Sequence, residues 1–322
     1  MGELQVGEPE WDIVIVGGGP AGLTAGLYAA RDAMKTLLVE RMVSGGQVAT
    51  TEWVENYPGF PEGISGIELS QRMEEQAKKF GLQVIQGDVQ TLGLSDGRPR
   101  TFSVLTSEGA HLARAVILAM GADWNRLGVP GEEEFRGRGV SYCATCDGPF
   151  FRDQEVVVVG GGDTAVEEGT YLTKMASRVT LIHRRDRLRA SPIVQQRALA
   201  NPKMQFVWNS VVEAIEGGPK GVERVRIKEL PSGHTWEKPC SGVFIFVGMV
   251  PNTGFLKGLV EMDQRGYVLT DDEMRTSLPG VFACGDARRK LLRQVVTACG
   301  DGATAARAAA RYVEELRGTA YD

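Results

Sequence analysis

One stretch of this chain is written twice. Asp12–Glu40 reads DIVIVGGGPAGLTAGLYAARDAMKTLLVE, and Glu155–His183 reads EVVVVGGGDTAVEEGTYLTKMASRVTLIH. A single offset superposes Gly17 on Gly160, Gly19 on Gly162, Gly26 on Gly169 and Tyr28 on Tyr171. Each copy opens with an unbroken β-branched run, the pattern of a strand buried on both faces. A glycine turn, a helical stretch and a second apolar strand follow. Each copy is therefore a βαβ unit carrying the G-x-G-x-x-G turn in the context that makes it a dinucleotide fingerprint. The first glycine makes the tight turn and the second lets backbone approach a pyrophosphate. The third position, Gly22 or Ala165, lets helix pack on strand. The free N–H groups of the helix N-terminus then face the phosphates. Few folds accommodate two such units. The expected class is α/β, with two Rossmann-like dinucleotide-binding domains.

The two copies part where the second strand ends. The first ends at Glu40, whose carboxylate can accept hydrogen bonds from a ribose diol. The second ends at His183, followed by Arg184 and Arg185, with Arg189 close behind. Guanidinium forks fit a phosphate bidentately, so cations here suit a ribose carrying a 2′-phosphate. The first site reads as one for an adenine dinucleotide with a free ribose, and the second as one for NADP(H).

Between the copies lies Ser141-Tyr142-Cys143-Ala144-Thr145-Cys146-Asp147-Gly148. Cys-x-x-Cys can close into a small disulfide ring and recurs where thiols exchange electrons. Asp147 stands where a proton donor would serve disulfide reduction. The pair alone leaves other readings open: half of a zinc site, which wants four ligands, or chance. Cys240, Cys284 and Cys299 stand singly, and His111, His183 and His234 show no ligand spacing.

The remaining numbers narrow the class. With 322 residues the chain is long enough for two domains. Its 43% hydrophobic and 24% charged residues are those of a globular protein, and a net charge of −5 argues against nucleic-acid binding. No signal-peptide layout or membrane-length apolar run is found. Five cysteines with one close pair suggest reducing cytoplasm rather than a disulfide framework. Periodicity places a helix over 66–80, strands near 83–86, 102–106 and 115–118, and a helix near 193–200. Further strands fall near 205–208, 222–228, 243–246 and 281–284, and an alanine-rich helix ends near 316. Composition breaks at 121–134 and again at 248–252.

Taken together these motifs resemble the low-molecular-weight thioredoxin reductases nearly end to end. The matching pieces are GGGPAG at 17–22, GGQ at 45–47, ENYPG at 55–59, CATCDG at 143–148 and GGGDTAVE at 160–167. HRRDRLRAS at 183–191 and GVFACGD at 280–286 follow, with Arg293-Gln294 after them. The resemblance implies electron flow from NADPH through FAD and the Cys143–Cys146 disulfide to oxidised thioredoxin. It implies a discontinuous FAD domain, 1–121 and 251–322, with an NADPH domain, 122–250, inserted into it and turning relative to it.

FAD would lie against Gly17, Gly19, Pro20, Ala21, Glu40, Gly46, Gln47, Asn56, Gly121, Gly285, Asp286, Arg293 and Gln294. NADPH would take Gly160, Gly162, Asp163, Thr164, His183, Arg184, Arg185 and Arg189. Cys146 would face the flavin, Cys143 would exchange with thioredoxin and Asp147 would be the acid–base. Thioredoxin would dock near Arg138, Phe150 and Phe151 of a homodimer. Cys284, Cys299 and Met249 depart from the commonest family pattern, and Pro149 touches the docking edge.

Rival readings are a related flavin reductase acting on another small redox protein and a non-catalytic nucleotide-binding scaffold. Peroxidase-linked relatives carry an N-terminal extension, for which a fingerprint starting at Asp12 leaves no room. The large disulfide reductases space their cysteines differently, and ferredoxin-fed relatives need no arginine cluster.

Overall fold

The computed structural model describes residues 9–51, 53–95 and 101–320. In chain order the first elements are β1 (Trp11–Val16), α1 (Pro20–Arg31), β2 (Thr36–Glu40), α2 (Gly66–Lys79), β3 (Gln83–Gln86), β4 (Val89–Leu94), β5 (Phe102–Thr106), β6 (Gly109–Leu118) and β7 (Ala122–Trp124). Next come β8 (Val140–Ser141), α3 (Ala144–Asp147), β9 (Glu155–Gly160), α4 (Asp163–Leu172), β10 (Arg178–Ile182), α5 (Pro192–Leu199) and β11 (Met204–Val207). The last are β12 (Ser210–Gly218), β13 (Gly221–Glu229), β14 (Thr235–Pro239), β15 (Gly242–Phe246), β16 (Met249–Pro251), β17 (Val281–Ala283) and α6 (Val295–Arg317).

The chain divides into two compact units, Met1–Asp123 with Val250–Asp322, and Trp124–Met249. The second is thus inserted into the first. The strands and helices expected from sequence are found with ends shifted by one or two residues, except that β6 begins at Gly109 rather than near 115. Strand β4 and the antiparallel set β12–β14 were not fully anticipated, because Gln90, Thr91 and Gly93 interrupt the apolar pattern of β4 and charged residues dilute that of β12–β14.

The first unit is built on one sheet in the order β3-β2-β1-β6-β5-β4, with β17 also pairing β6. β1, β2, β3, β6 and β17 run parallel, whereas β4 and β5 join antiparallel. All six residues of β1 are buried. Ile13 and Ile15 pack with residues of α1 and α6, while Val14 and Val16 pack on the opposite face with Phe102 and Val104. A strand covered on both faces has no polar alternation to show, so its sequence is a continuous apolar run.

The inserted unit repeats the plan. Its parallel sheet runs β11-β10-β9-β15-β8, and β12-β13-β14 form a separate antiparallel sheet. Val156 and Val158 join a cluster with Val166 and Leu172 of α4, while Val157 and Val159 join Val212, Ile215 and Val225.

Small residues decide how closely α1 and α6 approach. Gly302 is buried in α6, and a Cβ there would overlap the carbonyl oxygen of Ala21. Around it Ala305, Ala306, Ala309 and Ala310 are buried. The helix starts at a capping box between Gln294 and Thr297 and stops at Gly318, whose φ of 69° closes the last turn. Among the described residues no helix is long and apolar enough to cross a membrane.

The two glycines of α6 should respond in opposite ways. Gly302→Val forces α6 off α1, so chemical denaturation should show a loss of about 1–3 kcal/mol. At Gly300, an added Cβ meets nothing within 4 Å. Gly300→Ala should raise stability by up to about 1 kcal/mol through helix propensity alone.

Candidate active site

In the first unit the C-terminal ends of β1, β2, β6 and β17 carry most of the expected residues. Gly17 (φ 102°) turns so tightly under β6 that a Cβ there would meet the Ala119 carbonyl at 2.5 Å. A Cβ at Gly22 would overlap the Gly17 carbonyl oxygen, so α1 sits directly on the turn. A Cβ added at Gly19 would meet nothing within 4 Å, and this residue caps α1 without any side-chain bond. Pro20, at the first helical position, has no N–H to lose, and the amides that follow have no partner within the helix.

Glu40 ends β2 as expected, but it has a second task. Its Oε2 accepts the Gly18 N–H at 2.6 Å and its Oε1 the Met42 N–H at 3.0 Å. The carboxylate therefore orders the turn while keeping lone pairs for a ribose. Gly45 N–H donates to the Gly18 carbonyl at 2.7 Å, which lays Gly46 over Gly19. Gln47 donates to the Ala122 carbonyl at 2.9 Å. Asn56 and Gln294, far apart in sequence, meet through a 3.0 Å hydrogen bond. Gly121 accepts the Asn252 N–H at 3.1 Å. A Cβ at Gly285 would lie 2.8 Å from that of Ala21, which puts the Gly285-Asp286 turn against the start of α1.

Two polar atoms there lack a protein partner. Asp286 Oδ1 and Arg293 Nε are both buried without a hydrogen bond. Burial is the main cause pushing the Asp286 carboxyl above its ordinary range, opposed by Lys290 and Arg293. The Arg293 guanidinium stacks 4.2 Å from the centre of the Tyr267 ring. A carboxylate awaiting a hydroxyl and an uncapped helix start awaiting a phosphate fit FAD, a ligand that brings both.

Sequence reasoning overlooked the support behind this turn. Asp301, buried within α6, accepts the Gly285 N–H at 3.1 Å, Arg288 Nη1 at 3.3 Å and Lys290 Nζ at 2.7 Å. An aspartate flanked by Gly300 and Gly302 is a poor helix former, and that local conflict could have marked it.

The second nucleotide turn lies wholly within the inserted unit. Gly162 caps α4 with no side-chain bond. The His183 ring lies on Gly161, where a Cβ would overlap it. His183 is 6% exposed, and its Nε2 is buried without a partner. Burial above all, then Arg189, Arg184 and Arg185, lowers its pKa. Arg189 donates its backbone N–H to the Gly161 carbonyl at 2.7 Å, and Ser191 N–H donates to Asp163 Oδ1 at 2.7 Å. Arg184, Arg185 and Arg189 are exposed, and Thr164 is half-buried in the first turn of α4. These residues fit the phosphates of an NADP(H) approaching from solvent.

Cys143 and Cys146 form a disulfide, with Cα atoms 5.4 Å apart. Cys143 caps the one-turn helix α3, its Sγ accepting the Cys146 N–H at 3.1 Å. Cys146 is exposed and Cys143 half-buried. Asp147 is half-buried, its N–H donating to the Cys143 carbonyl at 3.2 Å.

Phe150 is 76% exposed, but Phe151 packs edge-on to Phe244 with ring centres 5.4 Å apart. Arg138 is exposed and lies over the Phe135 ring. Cys240 and Cys284 are buried, and burial pushes both thiols up, Cys240 to about 12. No group of three or more histidine, cysteine or acidic side chains among the described residues could hold a metal ion.

The family description "Pyridine nucleotide-disulphide oxidoreductase" matches residues 11–302. A thioredoxin reductase of Listeria innocua is 51% identical over 311 residues, 96% of each chain. One of Treponema pallidum is 49% identical over 310 residues, 96% of this chain and 99% of its own. The chain belongs to the low-molecular-weight thioredoxin reductase family. The crystal structure of Lactococcus lactis thioredoxin reductase in its FR conformation superposes with a TM-score of 0.92. It is 47% identical and covers 95% of this chain and 100% of that one. Members of the family use FAD and NADPH, the two ligands that the turns at Gly17 and Gly160 suit.

The orphaned Asp286 oxygen gives a signed expectation. Its folded pKa lies above the unfolded one, so the native apoprotein holds its proton more tightly than the unfolded chain. Apoprotein stability should therefore fall as pH rises from the unfolded aspartate pKa through the raised native one. Asp286→Asn should flatten that slope, measured by urea unfolding across pH. It should also weaken FAD retention about tenfold or more, since a hydrogen bond to a charged group is lost.

Proposed function

We propose that this protein is an NADPH-dependent, FAD-containing reductase of thioredoxin disulfides, delivering electrons through Cys143 and Cys146. The observation that carries the reading is a closed Cys143–Cys146 disulfide with one sulfur exposed, in the same unit as an NADP(H)-type turn. The overall change is NADPH, a proton and a protein disulfide going to NADP⁺ and a dithiol. FAD, when bound, supplies the two-electron chemistry that lets a hydride donor reduce a disulfide. Gly17 to Ala21, Glu40, Gly46, Gln47, Asn56, Gly121, Gly285, Asp286, Arg293 and Gln294 would hold it. Gly160, Gly162, Asp163, Thr164 and His183 would seat the NADPH pyrophosphate and ribose, and Arg184, Arg185 and Arg189 its 2′-phosphate.

The thiol chemistry follows from the ring's geometry. With the ring open, the Cys143 thiolate, held by the Cys146 N–H, attacks the partner disulfide, forming a mixed disulfide and releasing one partner sulfur. Asp147 supplies the proton that sulfur takes up, an assistance worth about a hundredfold to ten-thousandfold when well placed. Cys146 Sγ then attacks Cys143 Sγ, closing the ring and releasing the second partner thiol. Thioredoxin would dock against exposed Phe150 and Arg138, with half-buried Phe151 backing that surface. Assembly as a homodimer belongs to the same reading, and sedimentation would test it.

Two measurements test the proposal. Removing Arg184, Arg185 or Arg189 singly should raise the NADPH KM about tenfold to a hundredfold and leave NADH use nearly unchanged. Equal efficiency with both coenzymes in the unmodified protein would contradict the site. Cys143→Ser and Cys146→Ser should both abolish thioredoxin turnover. On a non-reducing gel, Cys146→Ser should trap a thioredoxin bearing an activated cysteine through Cys143, and Cys143→Ser should trap little. The reverse pattern gives the outward role to Cys146.

A further inference from the structure

The residue directly before the dithiol is tied to a buried carboxylate some distance back in the chain. Tyr142 donates its hydroxyl to Glu132 Oε1 at 2.6 Å. Glu132 is only 3% exposed, and it also accepts the Leu127 N–H at 2.9 Å and the Gly128 N–H at 2.6 Å. Three donors thus converge on one buried charge, the arrangement that makes such a group tolerable. The turn carrying it is fixed in turn. Ile215 N–H donates to the Pro130 carbonyl at 2.9 Å, and a Cβ on Gly131 would overlap the Ile215 carbonyl.

Arg136 lies 5.8 Å from the centre of the Tyr142 ring. Burial first, then Glu132, pushes the Tyr142 pKa above that of an ordinary phenol, against the smaller opposing pull of Arg126 and Arg136. The hydroxyl stays a donor throughout the range in which thiols titrate.

The other side of the Cys143 peptide is held as well. Ser141 Oγ accepts the Cys143 N–H at 3.0 Å and donates to the Cys143 carbonyl at 3.1 Å. Val140 and Ser141 are themselves paired with β15. Cys143 is therefore clamped by its neighbours, while Cys146 rides on a single exposed turn.

We propose that the Tyr142–Glu132 hydrogen bond positions Cys143, so that its sulfur stays beneath the Cys146 amide when the disulfide opens and is poised to close the ring again. Tyr142 and Glu132 are positioning residues of the dithiol; neither touches the reacting sulfurs. This rests on the reading that Cys143 and Cys146 cycle between disulfide and dithiol, and it adds what holds the ring ready between the two states. Ring closure competes with every other fate of a mixed disulfide. A Cys143 free to wander lowers the effective concentration at which the two sulfurs meet.

The test is equilibration of the full-length protein with reduced and oxidised glutathione, read by alkylation and mass. Two reduced glutathiones open the ring through one mixed disulfide, giving two protein thiols and one oxidised glutathione. Tyr142→Phe keeps the ring and removes only the hydroxyl. It should lower the constant for ring closure about fivefold to tenfold, part of what one hydrogen bond to a charged group can contribute. Glu132→Gln weakens the same bond from the acceptor side and should shift the constant in the same direction. Thermal unfolding gives the second readout. The Tyr142→Phe change should destabilise the oxidised protein more than the reduced one, because ring closure and folding are linked. Equal destabilisation of both forms, with an unchanged glutathione constant, would make the bond merely structural and overturn the proposal. A Cys143–Cys146 pair that never exchanges with glutathione would overturn this inference and the proposed function together.

Discussion

The closeness of helix to strand at a glycine turn governs the first unit. Gly22 has no room for a side chain over the Gly17 carbonyl, and Gly17 has none under Ala119. That contact brings the start of α1 to the end of β1, where unpaired amides can meet a phosphate. Much else in the unit conforms to it. Gly285 packs on Ala21, Gly46 on Gly19 and Gly302 on the Ala21 carbonyl. A Cβ at Gly17, Gly22 or Gly302 would overlap backbone, so a larger residue there would move α1 or α6. A large apolar side chain would strengthen most helix contacts; here it would close the site.

The inserted unit uses the same contact differently. Gly160 leaves space for Ala165 and for the Phe246 carbonyl, and Gly161 for the His183 ring. Its free helix start faces a rim of exposed arginines, whereas the first unit places Glu40 at the same point. One repeated fold thus presents a carboxylate to one ligand and guanidinium groups to another. The dithiol of the inserted unit sits in a one-turn helix too short to hold itself. Neighbours hold it instead: Ser141, Tyr142 and the packing of Gly148 against Leu172 and Met175.

The parallel strands of both units, the two glycine turns and the dithiol were legible in the sequence. Each rests on local chemistry: β-branched runs, positions that exclude a Cβ, and two cysteines one helical turn apart. Glu40 and the Arg184–Arg189 cluster were legible for the same reason, standing at a fixed distance after a recognisable turn. Asn56 and Gln294 could be named only through family likeness, because nothing local draws them together. The second task of Glu40, holding Gly18 and Met42, was not visible either, since a strand-end carboxylate looks the same in both roles.

Composition and period thus determined the class of fold, its duplication and the kinds of ligand each turn suits. Tertiary structure decided what no local rule encodes. It brought Asp301 beneath Gly285 and left one oxygen of Asp286 buried without a protein partner. It tied Tyr142 to Glu132 and set Cys143 Sγ beneath the Cys146 N–H. The reason is the same in each case. Periodicity records which face of an element is buried, but hydrogen bonds between distant segments depend on where whole elements come to rest.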